Sequence, residues 1–228
     1  MIKLALIHPS YKRVDMAFNT CLEWLENCEN PLEVEYLIGL DEGDPTIESY
    51  KERFSSIKDN WGRFEINVGD STDSVKASYR TAKTISNTTE ILFQISDDTG
   101  SICKWDYELT KVFSQADNFK DPKALFVNDG YWAFGTVFVH PIMNRALYNK
   151  LGFILYPEYT SMFADNDFTS VCRKLNCFIE APQLTFQHKH YSKGFNPMDE
   201  TYARRNNQQE FDKNHRIFLE RQRRGFDL

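Results

Sequence analysis

Short apolar runs alternate with longer amphipathic segments along the first half of the chain. The runs predict buried strands, and the segments, whose apolar positions recur every three or four residues, predict helices. The predicted strands are Lys3–Ile7, Glu33–Leu40, Arg63–Val68 at an edge, and Ile91–Ile95, and the predicted helices are Asp15–Asn27, Thr46–Ile57 and Thr72–Ser86, the last with Asp73 or Ser71 near its start. This order predicts a mostly parallel sheet with right-handed crossovers, whose ligand lies beyond the carboxyl ends of the strands.

The second half of the chain is less regular. The pattern there predicts helices at Trp105–Gln115, Pro141–Lys150 and Asp167–Leu175, and strands at Ala124–Val127, Thr136–Val139 and Leu184–His190. From Gln208 to Arg224 the chain is polar and basic with scattered apolar residues. We therefore expect one α/β domain over residues 1–195, followed by a basic helical extension over residues 196–228.

The charge of the chain restricts its partners. The 228 residues carry a net charge of -6, with a pI of about 5.4. An acidic chain does not attract polyphosphate backbones nonspecifically, which argues against a protein that coats nucleic acid. A nucleotide site in such a chain needs a metal ion or local Arg and Lys side chains to offset the negative charge.

Cysteine usage and apolar runs indicate a cytoplasmic protein. The five cysteines include no Cys-x-x-Cys pair, so they favour reduced thiols over a disulfide framework or a zinc ribbon. No apolar run approaches the roughly 20 residues that span a bilayer. The apolar start is interrupted by Pro9 and is too short for a signal sequence.

Candidate ligand-binding residues follow the first two predicted strands. Pro9 and Ser10 are typical of a tight turn, while Tyr11 is suited to stack on a base and Arg13 to bind a phosphate. Asp41 follows the second strand, where a carboxylate accepts hydrogen bonds from a uracil N–H or a ribose hydroxyl. The alternatives are a plain strand-to-helix loop and a solvated acidic turn.

The pair Asp97-Asp98 follows the fourth predicted strand. Adjacent carboxylates repel each other and raise each other's pKa unless a cation lies beside them. Mg²⁺ and Mn²⁺ prefer oxygen ligands and keep positions open for substrate phosphates. The position after an apolar strand favours a metal site over a structural turn.

Two further pairs are candidates for chemistry. Asp165 and Asp167 open a predicted helix, where one carboxylate caps the helix and the other is suited to be a general base. His188 and His190 are two residues apart on a predicted strand and so share one face, where they are suited to bind Mn²⁺. A structural or solvent-facing role is the alternative for each histidine.

These segments together resemble the GT-A glycosyltransferases, more narrowly the family 2 type, over roughly residues 3–190. The order and spacing of several segments carry the resemblance. They are Pro9–Arg13, Asp41, Asn67–Gly69, the helix that carries Lys76, Ser96–Asp98, Trp105-Asp106, Phe163–Thr169, and the late His188 and His190.

The resemblance implies a GT-A fold, with a nucleotide-binding half over about residues 1–100 and an acceptor half over about residues 101–195. It implies an inverting transfer of a sugar from a nucleotide-sugar, such as a UDP-sugar, to a hydroxyl acceptor, with Mn²⁺ or Mg²⁺ as cofactor. The implied donor-binding residues are Pro9, Ser10, Tyr11, Arg13, Asp41, Lys76 and Asp97. The implied metal ligands are Asp98 with His188 or His190, and the implied base is Asp165 or, in another register, Asp167.

Two departures from the family pattern keep alternatives open. Ser96 replaces the usual first Asp of the metal motif, and Ala164 replaces the usual Glu beside the base, as in a non-catalytic nucleotide-sugar-binding module. A nucleotidyltransferase is less favoured, because the loop after the first strand lacks glycine. The acceptor stays open among a saccharide, a protein, a small molecule and a hydroxylated DNA base, the last suggested only by the basic tail, and the oligomeric state stays open as well.

Overall fold

A computed structural model of the chain describes residues 1, 3–70, 73–116 and 119–228. Its centre is a seven-stranded sheet in the order β3-β2-β1-β4-β6-β5-β7. The strands are β1 (Leu4–Ser10), β2 (Val34–Asp41), β3 (Arg63–Gly69), β4 (Ile91–Gln94), β5 (Ala124–Asn128), β6 (Ile142–Asn144) and β7 (Phe178–Thr185). The first four strands are parallel, β7 is parallel to β5, and β6 runs antiparallel between β4 and β5.

Helices cover both faces of the sheet. They are α1 (Val14–Glu26), α2 (Ile47–Phe54), α3 (Ser74–Ala82), α4 (Trp105–Ala116), α5 (Arg145–Leu151), α6 (Ala164–Lys174), α7 (Glu200–Arg205) and α8 (Gln208–Arg223). Because successive strand residues point to opposite faces, Leu4 and Leu6 join a core with α1, α2 and α4, whereas Ala5 and Ile7 join a second core with α3, α5 and α6. These observations confirm the predicted α/β class with a mostly parallel, helix-flanked sheet.

The elements of the first half lie where the pattern predicts them, within a few residues. One difference is that β1 continues through Pro9 to Ser10, paired with β2. On the other side β4 ends at Gln94, opposite Ile7, so Pro9 lies where β1 has only one neighbouring strand and its missing N–H is tolerated. The helix predicted from Thr72 begins at Ser74, where the Asp73 side chain accepts from the Lys76 amide. Ser71 and Thr72 lie outside the described residues.

Three predictions in the second half differ from the structure. Residues 136–139 form no strand. Arg173 of α6 donates to the Thr136 carbonyl, the Phe138 amide donates to Thr169 Oγ1 of α6, and the amides of Thr136 and Val139 donate to carbonyls within the same loop. The helix predicted from Pro141 begins only at Arg145, since residues 142–144 pair with β4 as β6. The Asn144 side chain then caps α5 by accepting from the Leu147 amide.

The predicted strand Leu184–His190 overlaps β7 only at its start. β7 ends at Thr185. The residues that follow it make individual backbone hydrogen bonds to the loops after β4 and β5. The His188 amide donates to the Asp129 carbonyl at 2.8 Å, and the Lys189 amide to the Asp98 carbonyl at 2.7 Å. These bonds hold the histidines against the acidic pair.

Residues 196–228 form two helices that pack on different parts of the domain. The short helix α7 falls within the extension that the sequence predicts to be helical, and it lies over the carboxyl ends of β1 and β4. The basic helix α8 packs on α6 through a buried ion pair between Arg221 and Asp167. In the part of the chain that the structure describes, no helix has the length and apolar character needed to cross a bilayer.

Candidate active site

Two adjoining pockets lie at the carboxyl ends of the parallel strands. The first, here called the charged pocket, has a volume of about 250 Å³ and is lined by Tyr11, Arg13, Asp41, Asp97, Asp98 and Arg205, among others. The second, the aromatic pocket, has a volume of about 690 Å³ and is lined by Trp132, Val137, Phe163, Asp165 and Phe211, among others. Gln94, Ser96, His188 and His190 line both, so the pockets meet there.

Asp97 is fully engaged by groups from β1 and the loop after it. Its Oδ1 lies 2.9 Å from Nε2 of His8 and accepts from Ser10 Oγ at 2.7 Å. Its Oδ2 lies 3.6 Å from an Arg13 guanidinium nitrogen. His8 is fully buried and contacts the Tyr36 hydroxyl at 2.6 Å through its other ring nitrogen. Asp97 therefore holds the loop after β1 in place. His8 contacts this carboxylate, and the sequence pattern did not indicate it as a candidate.

Asp98 faces the junction of the pockets. Its Oδ1 accepts from Ser96 Oγ at 2.5 Å, and its Oδ2 accepts from the Tyr202 hydroxyl at 2.7 Å. Nε2 of His188 lies 3.4 Å from Oδ2. Burial opposes ionisation, but the contacts to His188, Ser96 and Tyr202 outweigh it and hold the pKa of Asp98 well below its usual range. Asp98 is therefore an anion at neutral pH.

The two histidines lie beside Asp98. Burial lowers the pKa of His188, but the hydrogen bond to Asp98 and the charges of nearby carboxylates raise it above its ordinary value. Its Nδ1 is buried and has no hydrogen-bond partner in the described part of the chain. The rings of His188 and His190 are 5.2 Å apart.

The carboxylate oxygens of Asp98 and the ring nitrogens of the two histidines are types of ligand atom that Mn²⁺ accepts. The orphaned Nδ1 of His188 supports a role for this histidine beyond packing. Across residues 1, 3–70, 73–116 and 119–228, no group of three or more His, Cys, Asp and Glu side chains is close enough to hold a metal ion. Instead, the Tyr202 hydroxyl contacts the Asp98 oxygen nearest to His188.

The charged pocket is covered by the segment around α7. The Asp199 carboxylate forms a bidentate ion pair with the Arg13 guanidinium, with distances of 2.7 and 2.6 Å. The same guanidinium lies 4.1 Å from the Tyr202 ring centre, and the Arg204 guanidinium lies 4.6 Å above the Tyr11 ring. Arg13 and Asp199 are 186 positions apart in the chain. Contacts over such a distance leave no local signal in the sequence.

Asp165 lies in the first turn of α6 and lines the aromatic pocket. The helix starts after Phe163, which has a left-handed φ of 66°. Its ring packs against the rings of His215 and Phe211 of α8, with both ring centres 5.1 Å away. The Asn166 amide donates to Asp165 Oδ1 at 2.9 Å. Burial nevertheless raises the pKa of Asp165 above its ordinary value. A half-buried carboxyl with a raised pKa beside a cleft is suited to take up a proton.

Asp167, the alternative base, is turned away from both pockets. It is 1% exposed, and both of its carboxylate oxygens accept from Arg221, at 3.0 and 3.2 Å. The Tyr159 hydroxyl donates to it at 3.1 Å. Asp167 therefore ties α6 to α8, and the structure places Asp165 alone of the two in the cleft.

The remaining donor-binding candidates divide into two groups. Pro9, Ser10, Tyr11, Arg13 and Asp41 all line the charged pocket. Lys76 is absent from the described lining of either pocket: its side chain is 48% exposed and its ammonium lies 3.5 Å from Asp73. The Trp105-Asp106 pair is structural, since the Asp106 carboxylate accepts from the amides of residues 29 and 30.

Comparison with known proteins gives a fold but no close relative. No protein-family model matches the sequence, and no curated protein sequence matches it. Among solved structures, TarS residues 1–349 from Staphylococcus aureus superpose with a TM-score of 0.63 at 13% identity, over 81% of this chain and 59% of that one. The chain has a GT-A fold.

Two other similar structures with this GT-A fold come from different organisms. A mannosyltransferase from Pyrobaculum calidifontis, solved with GDP-Man and Mn²⁺, has a TM-score of 0.61 at 12% identity, over 81% of this chain and 56% of that one. The catalytic domain of Drosophila β1,4-galactosyltransferase 7 has a TM-score of 0.57 at 10% identity, over 88% of this chain and 75% of that one. The chain thus spans little more than half the length of the TarS and mannosyltransferase structures.

Proposed function

We propose that the chain is a glycosyltransferase that moves a sugar from a nucleotide-sugar, in the first instance a UDP-sugar, to a hydroxyl acceptor. The observation that carries the proposal is the meeting of the charged pocket with a cleft that contains a carboxyl of raised pKa, Asp165. The similar structures support it: TarS was solved with UDP-GlcNAc, the mannosyltransferase with GDP-Man, and a galactosyltransferase 7 variant with UDP-Gal.

The donor's nucleotide fits the charged pocket. Arg13 and Arg205 supply positive charge that offsets a diphosphate in an otherwise acidic chain. Asp41 lies at the end of β2, where it is suited to accept hydrogen bonds from the base or the ribose, and Tyr11 is suited to stack on the base. Asp97 holds the loop that carries Arg13 in place.

A divalent cation would be held by Asp98 together with one of the two histidines, His188 or His190. When bound, Mn²⁺ or Mg²⁺ would neutralise charge that develops on the leaving diphosphate. Ser96 takes part by donating to Asp98 Oδ1, which fixes the orientation of the carboxylate. In this interpretation the serine that replaces an acidic residue of the family motif is a positioning residue.

Asp165 acts as the general base. It removes the proton from the acceptor hydroxyl as that oxygen attacks the anomeric carbon from the face opposite to the leaving diphosphate, so the transfer inverts the configuration. Its raised pKa brings its proton affinity closer to the working pH. Binding in one cleft supplies the proximity that the reaction needs.

The test is donor binding and turnover in one set of variants. We expect UDP with Mn²⁺ to raise the melting temperature, since a ligand of the native state stabilises it by mass action. Asp98→Asn should lose the part of this shift that depends on Mn²⁺. The matched control is Asp15→Asn, a carboxylate whose side chain is 87% exposed on α1 and which should behave as the parent chain.

The same experiment distinguishes the proposed enzyme from a non-catalytic binding module. That alternative is favoured by the ion pair of Asp199 with Arg13 and by the contact of Tyr202 with Asp98, which fill the charged pocket. Release of UDP from UDP-sugars with Mn²⁺, and its loss with a chelator, would support the enzyme. Binding of UDP without turnover of any nucleotide-sugar would support the module, and absence of a thermal shift with any nucleotide would contradict both.

A further inference from the structure

The loop after β5 holds an exposed tryptophan at the mouth of the aromatic pocket. Trp132 is 54% exposed and lines the pocket. The other three tryptophans, Trp24, Trp61 and Trp105, are at most 4% exposed. A large apolar side chain left in solvent beside a cleft is typical of a binding surface.

This loop is firmly braced. Asp129 Oδ1 accepts from the amides of Tyr131 and Trp132, both at 3.0 Å. Arg173 of α6 donates to the carbonyls of Gly135 and Thr136, at 2.5 and 3.2 Å. The backbone that carries Trp132 is therefore held by a network of hydrogen bonds, which lowers the entropic cost of binding a ligand on its ring.

The charges of the aromatic pocket differ from those of the charged pocket. Its lining, as far as the structure describes it, contains no Lys or Arg, and its one carboxylate is Asp165. A nucleic acid or another polyphosphate would place phosphates next to a carboxylate, with no Lys or Arg in the described lining to offset them.

The pocket does offer hydrogen-bonding groups without charge. Gln94 Oε1, at the junction with the charged pocket, is buried and has no partner within the described residues. Ser74, Ser161, Asn166 and Asn206 add hydroxyl and amide groups to the lining. Buried polar atoms without partners cost free energy, so an orphaned acceptor at this place fits a ligand that donates from a hydroxyl.

An aromatic face together with neutral amides and hydroxyls matches the chemistry of a sugar ring, which has apolar C–H faces and hydroxyl edges. We infer that the aromatic pocket binds the acceptor as an uncharged saccharide stacked on Trp132, with the acceptor hydroxyl directed to Asp165. This inference rests on the proposed function. The volume of about 690 Å³ lies within the range of small-ligand sites.

The burial of the other three tryptophans provides a direct assay. Iodide quenches the fluorescence of exposed indoles, so quenching reports on Trp132, and Trp132→Phe should remove most of it. The probes are methyl β-glucopyranoside, methyl β-galactopyranoside, cellobiose and xylobiose, in the presence of UDP and Mn²⁺. We expect at least one to protect Trp132 from iodide saturably, while an oligonucleotide with 5-hydroxymethyluracil and a serine peptide do not.

Kinetics add a second readout. With the saccharide that protects best, Trp132→Ala should raise KM about tenfold, because the stacking surface is lost. Its effect on kcat should be smaller, since Trp132 does not take part in proton transfer. The control is Tyr107→Ala, which removes an aromatic side chain that is 49% exposed on α4, and it should leave KM unchanged.

The outcomes distinguish this inference from the proposed function. Protection by none of the four saccharides, or stronger protection by the oligonucleotide or the peptide, would overturn the inference even if UDP binds. If UDP and Mn²⁺ give no thermal shift, the proposed function fails first. Protection by a saccharide together with an unchanged KM in Trp132→Ala would also overturn it, because stacking would then play no part in binding the acceptor.

Discussion

The two pockets share a wall but differ in the side chains that belong to each of them alone. In the charged pocket, Arg13 is paired with Asp199 and lies near Asp97, and both oxygens of Asp98 accept hydrogen bonds. In the aromatic pocket, Trp132 is exposed, and Gln94 Oε1, at the junction of the two pockets, has no partner among the described residues. A ligand of the first pocket must replace protein contacts, whereas a ligand of the second adds contacts that the protein lacks.

Charge explains this difference. Charged groups that are taken out of water cost several kcal/mol unless they are paired, so a pocket of carboxylates and guanidinium groups becomes filled with its own ion pairs. Neutral amides and aromatic rings lose much less when left unpaired. The described residues therefore provide their own counter-ions in the charged pocket, whereas the lining of the aromatic pocket contains no Lys or Arg.

The largest expected effect sharpens the comparison on the acceptor side. Asp165→Asn should lower kcat about 1000-fold, within the range for loss of a general base, while UDP still raises the melting temperature. Steady-state transfer measurements check it. An unchanged kcat would show that Asp165 is not the general base. The aromatic pocket would then differ from the charged pocket in polarity but not in catalytic role.

Next in size is the ion pair that belongs to neither pocket. Arg221→Ala should destabilise the fold by about 3–5 kcal/mol, because it leaves Asp167 buried with an uncompensated charge. Urea unfolding measures the change. Arg216→Ala, an exposed arginine on the same helix, is the control and should have little effect. Equal stability of both variants would contradict a structural role for Asp167.

The pH dependence of turnover distinguishes the carboxylates of the two pockets. Burial raises the pKa of Asp165, and the base must be deprotonated to act, so kcat should fall about tenfold per pH unit below that pKa. The acid limb should begin above the ordinary Asp pKa of about 3.9. Asp98 has a lowered pKa and stays charged there, so it does not produce the limb. A limb at or below the ordinary value would assign the base elsewhere.

The smallest effect concerns the donor side. Tyr202→Phe removes the hydroxyl that contacts Asp98, so Mn²⁺ should bind about fivefold more tightly in the presence of UDP, as expected for a lost competing hydrogen bond of about 1 kcal/mol. A Mn²⁺ titration of the thermal shift measures this. Tyr107→Phe, an exposed tyrosine on α4, is the control. Weaker binding would mean that Tyr202 supports the ligand instead of competing with it.

The sequence predicted what local pattern determines. Strands β1 to β4 follow from apolar runs, and the positions of Asp41, Asp97 and Asp98 at their carboxyl ends follow from the parallel order. It missed what distant contacts determine. Tyr202 contacts Asp98 over 104 positions, and residues 136–139 bond to α6 and within their own loop instead of forming a strand.

Histidines show the same division between local and distant information. The spacing of His188 and His190 predicted a shared face, and both do line the junction of the pockets. His8 lies inside an apolar run, where the pattern suggests only a strand residue. Its role depends on Asp97, which is 89 positions away in the chain. Residues of this kind are recognised only when the fold brings the partners together.

The buried ion pair between Arg221 and Asp167 also orders events during translation. Asp165 and the rest of α6 leave the ribosome about fifty residues before Arg221 does, since 54 positions separate the paired side chains. Until α8 has followed, Asp167 has no cation and Phe163 lacks the rings of His215 and Phe211 that lie against it. A nascent chain can therefore complete the sheet and the charged loops while the helix with the proposed base still awaits its support.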